Sequence, residues 1–146
     1  MDATRSNNAV TLINRSDQVG RPLAALLARQ GYLVDAFGLK EMETWAFTKD
    51  TFQRSLHPLS ETVQYKSSMQ QAGTVITGVP DPHFRLPLDL LPVHAHVIDF
   101  ASPCRNVDEE ALMAKTDWSG TLVRRIGKIT SLMLMHNLIK CCELRS

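Results

Sequence analysis

No apolar run in this chain approaches the roughly 20 residues needed to span a bilayer. The opening stretch, Met1-Asp2-Ala3-Thr4-Arg5-Ser6, lacks the apolar centre of a secretory signal. A soluble, cytoplasmic protein with no membrane partner is therefore expected. Cysteine is scarce: Cys104, Cys141 and Cys142 are odd in number and show no metal-ligand spacing, which fits free thiols in a reducing compartment better than a disulfide framework. Neither sign of charge dominates, with 16 Lys and Arg against 15 Asp and Glu, and the bases are scattered without interleaved aromatics. That balance argues against a nucleic-acid partner. His57, His83 and His94 have no metal spacing, and no nucleophile-plus-base arrangement stands out. The seven glycines nowhere form G-x-G-x-x-G.

What is present suits one ordinary domain: 146 residues, 44% of them hydrophobic, enough for a packed core. Val10-Thr11-Leu12-Ile13 is a short β-branched run of the kind that forms a buried strand. Asn14-Arg15-Ser16-Asp17 breaks it, and from Val19 the pattern turns helical, with Leu23, Leu26 and Leu27 on one face among small alanines. Pro22 suits the first helical turn and Gly31 the stop. Residues 32–37 read as a second strand interrupted by Asp35, and Lys40 to Ser60 as a variable connection with a short helix. Further along come a helix over 61–71, a strand over 73–77, a loop at Gly78 to Pro82, a strand over 95–100 and a short helix over 107–115. The longest helical pattern, Ile126 to Cys141, is apolar on most sides and should be buried from more than one direction. Alternating strands and helices predict a single α/β domain, a Rossmann-like parallel sheet with helices on both faces.

In such a sheet the ligand crevice lies beyond the carboxyl ends of the strands. Three loops would open there: Asn14 to Gly20, Gly78 to Pro80, and Phe100 to Pro103. The first enters a helix N-terminus, where the dipole favours a phosphate, with Arg15 as a charged fork and Ser16 as a hydroxyl. An equal alternative is that Ser16 or Asp17 simply caps the helix and Arg15 is a solvated surface residue. His96 reads as a satisfied strand histidine, His136 as a helix-packing residue, and Asp99 as a structural acceptor for neighbouring loops. Asp108-Glu109-Glu110 favours the first turn of a helix.

At these loops the pattern becomes specific. Asn14-Arg15-Ser16-Asp17-Gln18-Val19-Gly20-Arg21-Pro22, with the Leu-rich helix after it, resembles the methylenetetrahydrofolate dehydrogenase/cyclohydrolase family. In that family the first strand of the dinucleotide domain ends in Gly-Arg-Ser, followed by x-x-Val-Gly-x-Pro. Asn14 in place of the glycine is similar to the monofunctional, NAD-dependent branch. Val75 to Pro80, Val97 to Ala101 and Ile126 to Thr130 resemble later segments of the family in the same order. The resemblance covers nearly the whole chain apart from Lys40 to Gln70. Shikimate dehydrogenases carry a related Asn-Arg-Ser/Thr triplet, but after their second strand; here it closes the first.

The resemblance implies an oxidoreductase of one-carbon metabolism, which transfers hydride from 5,10-methylenetetrahydrofolate to a nicotinamide and yields 5,10-methenyltetrahydrofolate. It implies cofactor contacts at Arg15, Ser16, Gln18, Val19 and Gly20, at Gly78, Val79 and Pro80 beside the dinucleotide, and at Ala101 and Thr130 by the nicotinamide. It assigns no catalytic residue here. The family's folate-binding domain and its Tyr-x-x-x-Lys pair have no counterpart, so residues 1–146 are expected to be the NAD(P)-binding domain alone, inactive in isolation and acting on folate only with the missing domain. Arg124 and Arg125 stand where relatives have a Pro-containing loop, and Gly38 where the NAD-dependent branch has an Asp for a ribose hydroxyl. No 2′-phosphate pocket replaces that Asp, which leans towards NAD and leaves NADP open. The rival is a non-catalytic module binding a dinucleotide or a partner chain. An exposed apolar strip around Met133 to Met135 is expected where the last helix lacks its cover, predicting homodimers, other self-association or poor solubility.

Overall fold

The computed structural model describes residues 7–14, 16–38, 43–47, 52–56, 63–124 and 126–145, with 43–47, 52–56, 63–64, 127–131 and 145 described by backbone alone. β1 (Ala9–Ile13) is followed by α1 (Gly20–Arg29) and β2 (Leu33–Phe37). Next come β3 (Glu43–Phe47), β4 (Phe52–Leu56) and α2 (Val63–Gln71), then β5 (Thr74–Thr77) and β6 (His96–Asp99). α3 (Glu109–Ala114), the two-residue β7 (Leu122–Val123) and α4 (Gly127–Arg145) complete the order. The strands form one sheet in the order β4-β3-β2-β1-β5-β6-β7. β2, β1, β5, β6 and β7 run parallel, as the alternating pattern predicts.

Among the described residues between Lys40 and Ser60, strands form in place of the expected short helix. β3 and β4 pair antiparallel there and extend the edge beside β2, with Val34 opposite Phe47 and Glu43 opposite Leu56. Thr44-Trp45-Ala46-Phe47 is rich in strand-forming types, but charges at both ends mask its period.

Side chains alternate across the parallel strands, so each strand feeds two cores. Val10, Leu12, Val34, Ala36 and Ile76 face α1. Ile13, Val75 and Val97 face the opposite way, with Met69 and Ala72 of α2 and Leu112 of α3. Helices thus cover both faces, as expected. The buried row of α1 is Gly20, Ala24 and Ala28, with Leu23 and Leu27 only partly buried and Leu26 56% exposed. The leucine face thus flanks the buried row and does not form it: small residues at four-residue spacing let the helix approach the sheet closely. Gly31 ends the α1 region with φ +96°, a conformation glycine adopts freely.

α4 departs further from expectation. Every residue from Leu132 to Leu144 is exposed, so the helix is not buried from several directions. His136 among them is exposed rather than packed. The exposed strip expected at Met133 to Met135 is present and extends to Leu132, Leu138, Ile139 and Leu144. No helix among the described residues is long and apolar enough to cross a membrane.

Candidate functional site

Ligands of open parallel sheets lodge where successive connections leave in opposite directions. That point lies between β1 and β5: the chain leaves β1 for β2 on one side and later returns to β5 on the other. The loops after β1, β5 and β6 therefore lie side by side along one sheet edge.

Asn14 joins the first two of these loops. Its Nδ2 donates to the carbonyl of Gly78 at 2.8 Å, while its Oδ1 accepts the Ser16 N–H at 2.9 Å. A side chain read as a turn former thus ties together segments 64 residues apart. Two glycines permit this closure. A Cβ on Gly20 would lie 2.1 Å from the Asn14 carbonyl oxygen, and one on Gly78 would lie 2.1 Å from the Phe100 ring.

The turn before α1 is exposed at Ser16, Asp17, Gln18 and Val19. The Ser16 hydroxyl oxygen accepts the N–H groups of Val19 (3.1 Å) and Gly20 (3.3 Å), and its carbonyl accepts that of Arg21 (2.9 Å). Ser16 therefore braces the turn that leads into α1, whose N-cap is Val19 with no side-chain cap, so neither Ser16 nor Asp17 is the helix cap of the alternative reading. With Pro22 lacking an N–H and Leu23 bonded to Val19, the first turn offers its dipole rather than uncommitted donors. A hydroxyl that accepts two bonds still has its own proton to donate, so this role leaves Ser16 able to meet an anion. Asp17 pairs with Arg21 at 2.8 Å on the exposed surface. Arg15 lies outside the described residues.

The second loop is held from below by Asn106, a residue not singled out from the sequence. It is fully buried; its Oδ1 accepts the Thr77 hydroxyl (2.8 Å) and the Val79 N–H (2.7 Å), and its Nδ2 donates to the Val79 carbonyl (2.9 Å). No local signal marks such a residue, because its partners lie 27 or more positions away. The side chain of Val79 joins the buried core, so only its backbone faces the loop, while Pro80 is exposed.

Asp99 organises the third loop. Its carboxylate is buried and accepts the N–H groups of Ala101 (3.0 Å), Asn106 (2.9 Å) and Val107 (3.0 Å), with Arg124 3.8 Å away. This is the structural role expected of it. Arg124 also donates to the Val107 carbonyl and pairs with Glu109, so the end of β7 is tied to the same loop and to α3. Asp108 caps α3 by accepting the Ala111 N–H, and His96 shares a hydrogen bond with Thr121 at the surface. Ala101 is half-buried at the sheet edge. Thr130 falls in α4, but its side chain lies outside the described residues. Gly38 directly follows β2 on the same edge and has no side chain to accept a ribose hydroxyl. Among the described residues no cluster of His, Cys, Asp or Glu is arranged to hold a metal ion.

The chain was compared with known proteins on three levels. No family model matches it. It is 36% identical over 132 residues to the NAD(+) methylenetetrahydrofolate dehydrogenase of Dictyostelium discoideum, covering 90% of this chain and 39% of that protein. It is 35% identical over 133 residues to the enzyme of the same name from Schizosaccharomyces pombe, covering 90% of this chain and 40% of that one. The structure of the NAD-dependent 5,10-methylenetetrahydrofolate dehydrogenase of Saccharomyces cerevisiae superposes with a TM-score of 0.68 at 30% identity, over 92% of this chain and 43% of that chain. In sequence and in fold, nine-tenths of this chain is similar to NAD-dependent methylenetetrahydrofolate dehydrogenases, and it spans about two-fifths of their length.

Proposed function

We propose that residues 1–146 form the dinucleotide-binding domain of an NAD-dependent methylenetetrahydrofolate dehydrogenase. The observation that carries this reading is the Asn14 clasp at the β1/β5 switch point, with glycines on both sides where a Cβ has no room. Ser16, Gln18, Val19 and Gly20, with Arg15, take the phosphate and ribose side, where the α1 dipole and the exposed Ser16 hydroxyl favour negative charge. The backbone of Gly78, Val79 and Pro80 runs beside the dinucleotide, and Ala101 and Thr130 flank the nicotinamide. The bound cofactor supplies the hydride acceptor; this chain's residues bind and orient it. NAD is favoured over NADP because the relatives that this chain resembles are NAD-dependent enzymes.

Folate turnover requires the remaining three-fifths of the relatives' length, where the family's Tyr-x-x-x-Lys pair resides. The exposed apolar α4 favours a second element of the reading: this surface is covered by further protein, and without it the chain self-associates, a homodimer being the simplest form. A module that binds a dinucleotide without redox chemistry remains the second reading on the same observation.

Calorimetric titration with NAD and then NADP, repeated on Arg15→Ala with the better ligand, tests the site. Saturable binding of NAD, weakened about tenfold or more by the substitution, is expected. Wild-type chain that takes up neither dinucleotide would overturn the assignment.

A further inference from the structure

We propose that Asn106 is a positioning residue for the dinucleotide, because its carboxamide clamps both backbone groups of Val79 and so presets the ridge Gly78–Pro80. The inference rests on the dinucleotide reading given above and adds a residue that neither touches the crevice nor belongs to the motifs of its loops.

The ridge would otherwise be an ordinary surface connection, free to turn its peptide groups towards water. Instead those of Gly78 and Val79 are committed inward. The Gly78 N–H donates to the Ile13 carbonyl at 3.1 Å, and the Gly78 carbonyl accepts from Asn14. The Val79 N–H and carbonyl both end on Asn106, with the Cys104 thiol as a further donor to that carbonyl at 3.5 Å. Pro80 has no N–H to offer. The ridge therefore turns the peptide groups of Gly78 and Val79 away from the crevice and leaves an exposed proline ring, a surface suited to the uncharged part of a dinucleotide. Phosphate is left to the Ser16 turn.

Only an amide of this length fits the clamp. It must accept from Thr77 and Val79 and donate back to Val79 from one rigid plane. Aspartate at neutral pH only accepts, and serine is too short to reach. The clamp is itself anchored: the Asn106 N–H goes to Asp99, and its carbonyl accepts the Leu86 N–H at 2.8 Å. A loop fixed before the ligand arrives loses little freedom on binding, which is how a residue outside the crevice raises affinity.

The test uses Asn106→Ser, Asn106→Asp and, as a reference, Thr11→Val, which removes a buried 2.6 Å hydroxyl pair with Ser68 beyond the crevice. Thermal melting, NAD titration and amide hydrogen exchange are read on each. Asn106→Ser should melt cooperatively, expose the Gly78 and Val79 amides to faster exchange and weaken NAD about tenfold or more. Thr11→Val should lower the melting temperature while leaving the NAD affinity at the wild-type value. Asn106→Asp should regain affinity as the pH falls from about 8 to about 5.5, since the protonated acid donates to the Val79 carbonyl again. Asp99, Arg124 and Cys104 flank that position, so wild-type chain over the same range is the reference. Folded Asn106→Ser with wild-type NAD affinity would overturn the proposal, as would unchanged exchange at Val79. Wild-type chain that binds no NAD would instead sink the dinucleotide reading, and the exchange data would still decide whether Asn106 orders the ridge.

Discussion

The crevice edge and the C-terminal helix satisfy the same physical requirements in opposite ways. At the crevice, Asn14, Asp99 and Asn106 pair the loop backbones internally, and glycines let the segments close on one another. Along α4, apolar side chains from Leu132 to Leu144 stand in water, and none of these residues is buried. Loops, usually the loosest part of a fold, are here the most tightly specified, while the helix from Leu132 to Leu144 is left without cover.

The sharpest way to break the crevice half of the comparison is Gly20→Ala. The added methyl meets the Asn14 backbone carbonyl, which cannot swing aside as a side chain would. A loss of about 3 kcal/mol is expected, read as a lower denaturant midpoint, and it should carry away dinucleotide binding with it.

A second, smaller effect comes from the face between β1, β2 and α2. Burial raises the Asp35 carboxyl above its ordinary value of 3.8, only partly offset by a hydrogen bond from Ser68. A raised folded pKa means that the native state favours the neutral acid. Its contribution to stability is complete below about pH 3.8 and is lost as the pH rises through the folded value. Asp35→Asn should therefore be more stable than wild type at neutral pH, with the gap closing on acidification. A gap that widened towards acid would contradict that assignment. Nearby, Tyr65 stacks edge-on against Phe37 at 5.2 Å, and burial with the charge of Asp89 pushes its hydroxyl up to about 12. The ring therefore stays neutral at physiological pH.

The smallest stability effect belongs to α4. Replacing Leu134 and Met135 by glutamate should change the unfolding free energy by no more than about 0.5 kcal/mol, because neither residue is buried. It should nevertheless shift the chain towards monomer in sizing experiments and reduce binding of an apolar dye. Wild-type chain that is already monomeric and does not bind the dye would show that α4 needs no cover.

Legibility followed the range of the interactions involved. β1, α1, β5 and β6 were readable because each couples a periodic run to local punctuation: Asn14, Pro22, Gly31 and Gly78. β3 and β4 carry no such turn pair, and β7 is too short to leave a pattern. Asp99 was readable as a structural acceptor because it ends a strand and is followed by a polar loop. Asn14 and Asn106 were not, since their roles depend on partners brought together by the sheet order. The packing of Gly20 against the Asn14 carbonyl was equally hidden, since it depends on how the turn folds back on the end of β1. For α4, the apolar composition was legible, but its exposure from Leu132 to Leu144 depends on where the helix lies relative to the sheet.

The most direct test of the central claim is to follow the backbone amides of this chain during titration with NAD. The account predicts that shifts concentrate at Ser16 to Gly20, at Gly78, Val79 and Asp81, and at Ala101 and Thr130, with the β3–β4 edge and α4 from Leu132 onward unmoved. Saturable shifts clustered on α4 beyond Leu132, or on the β3–β4 edge with the β1 and β5 loops silent, would contradict it.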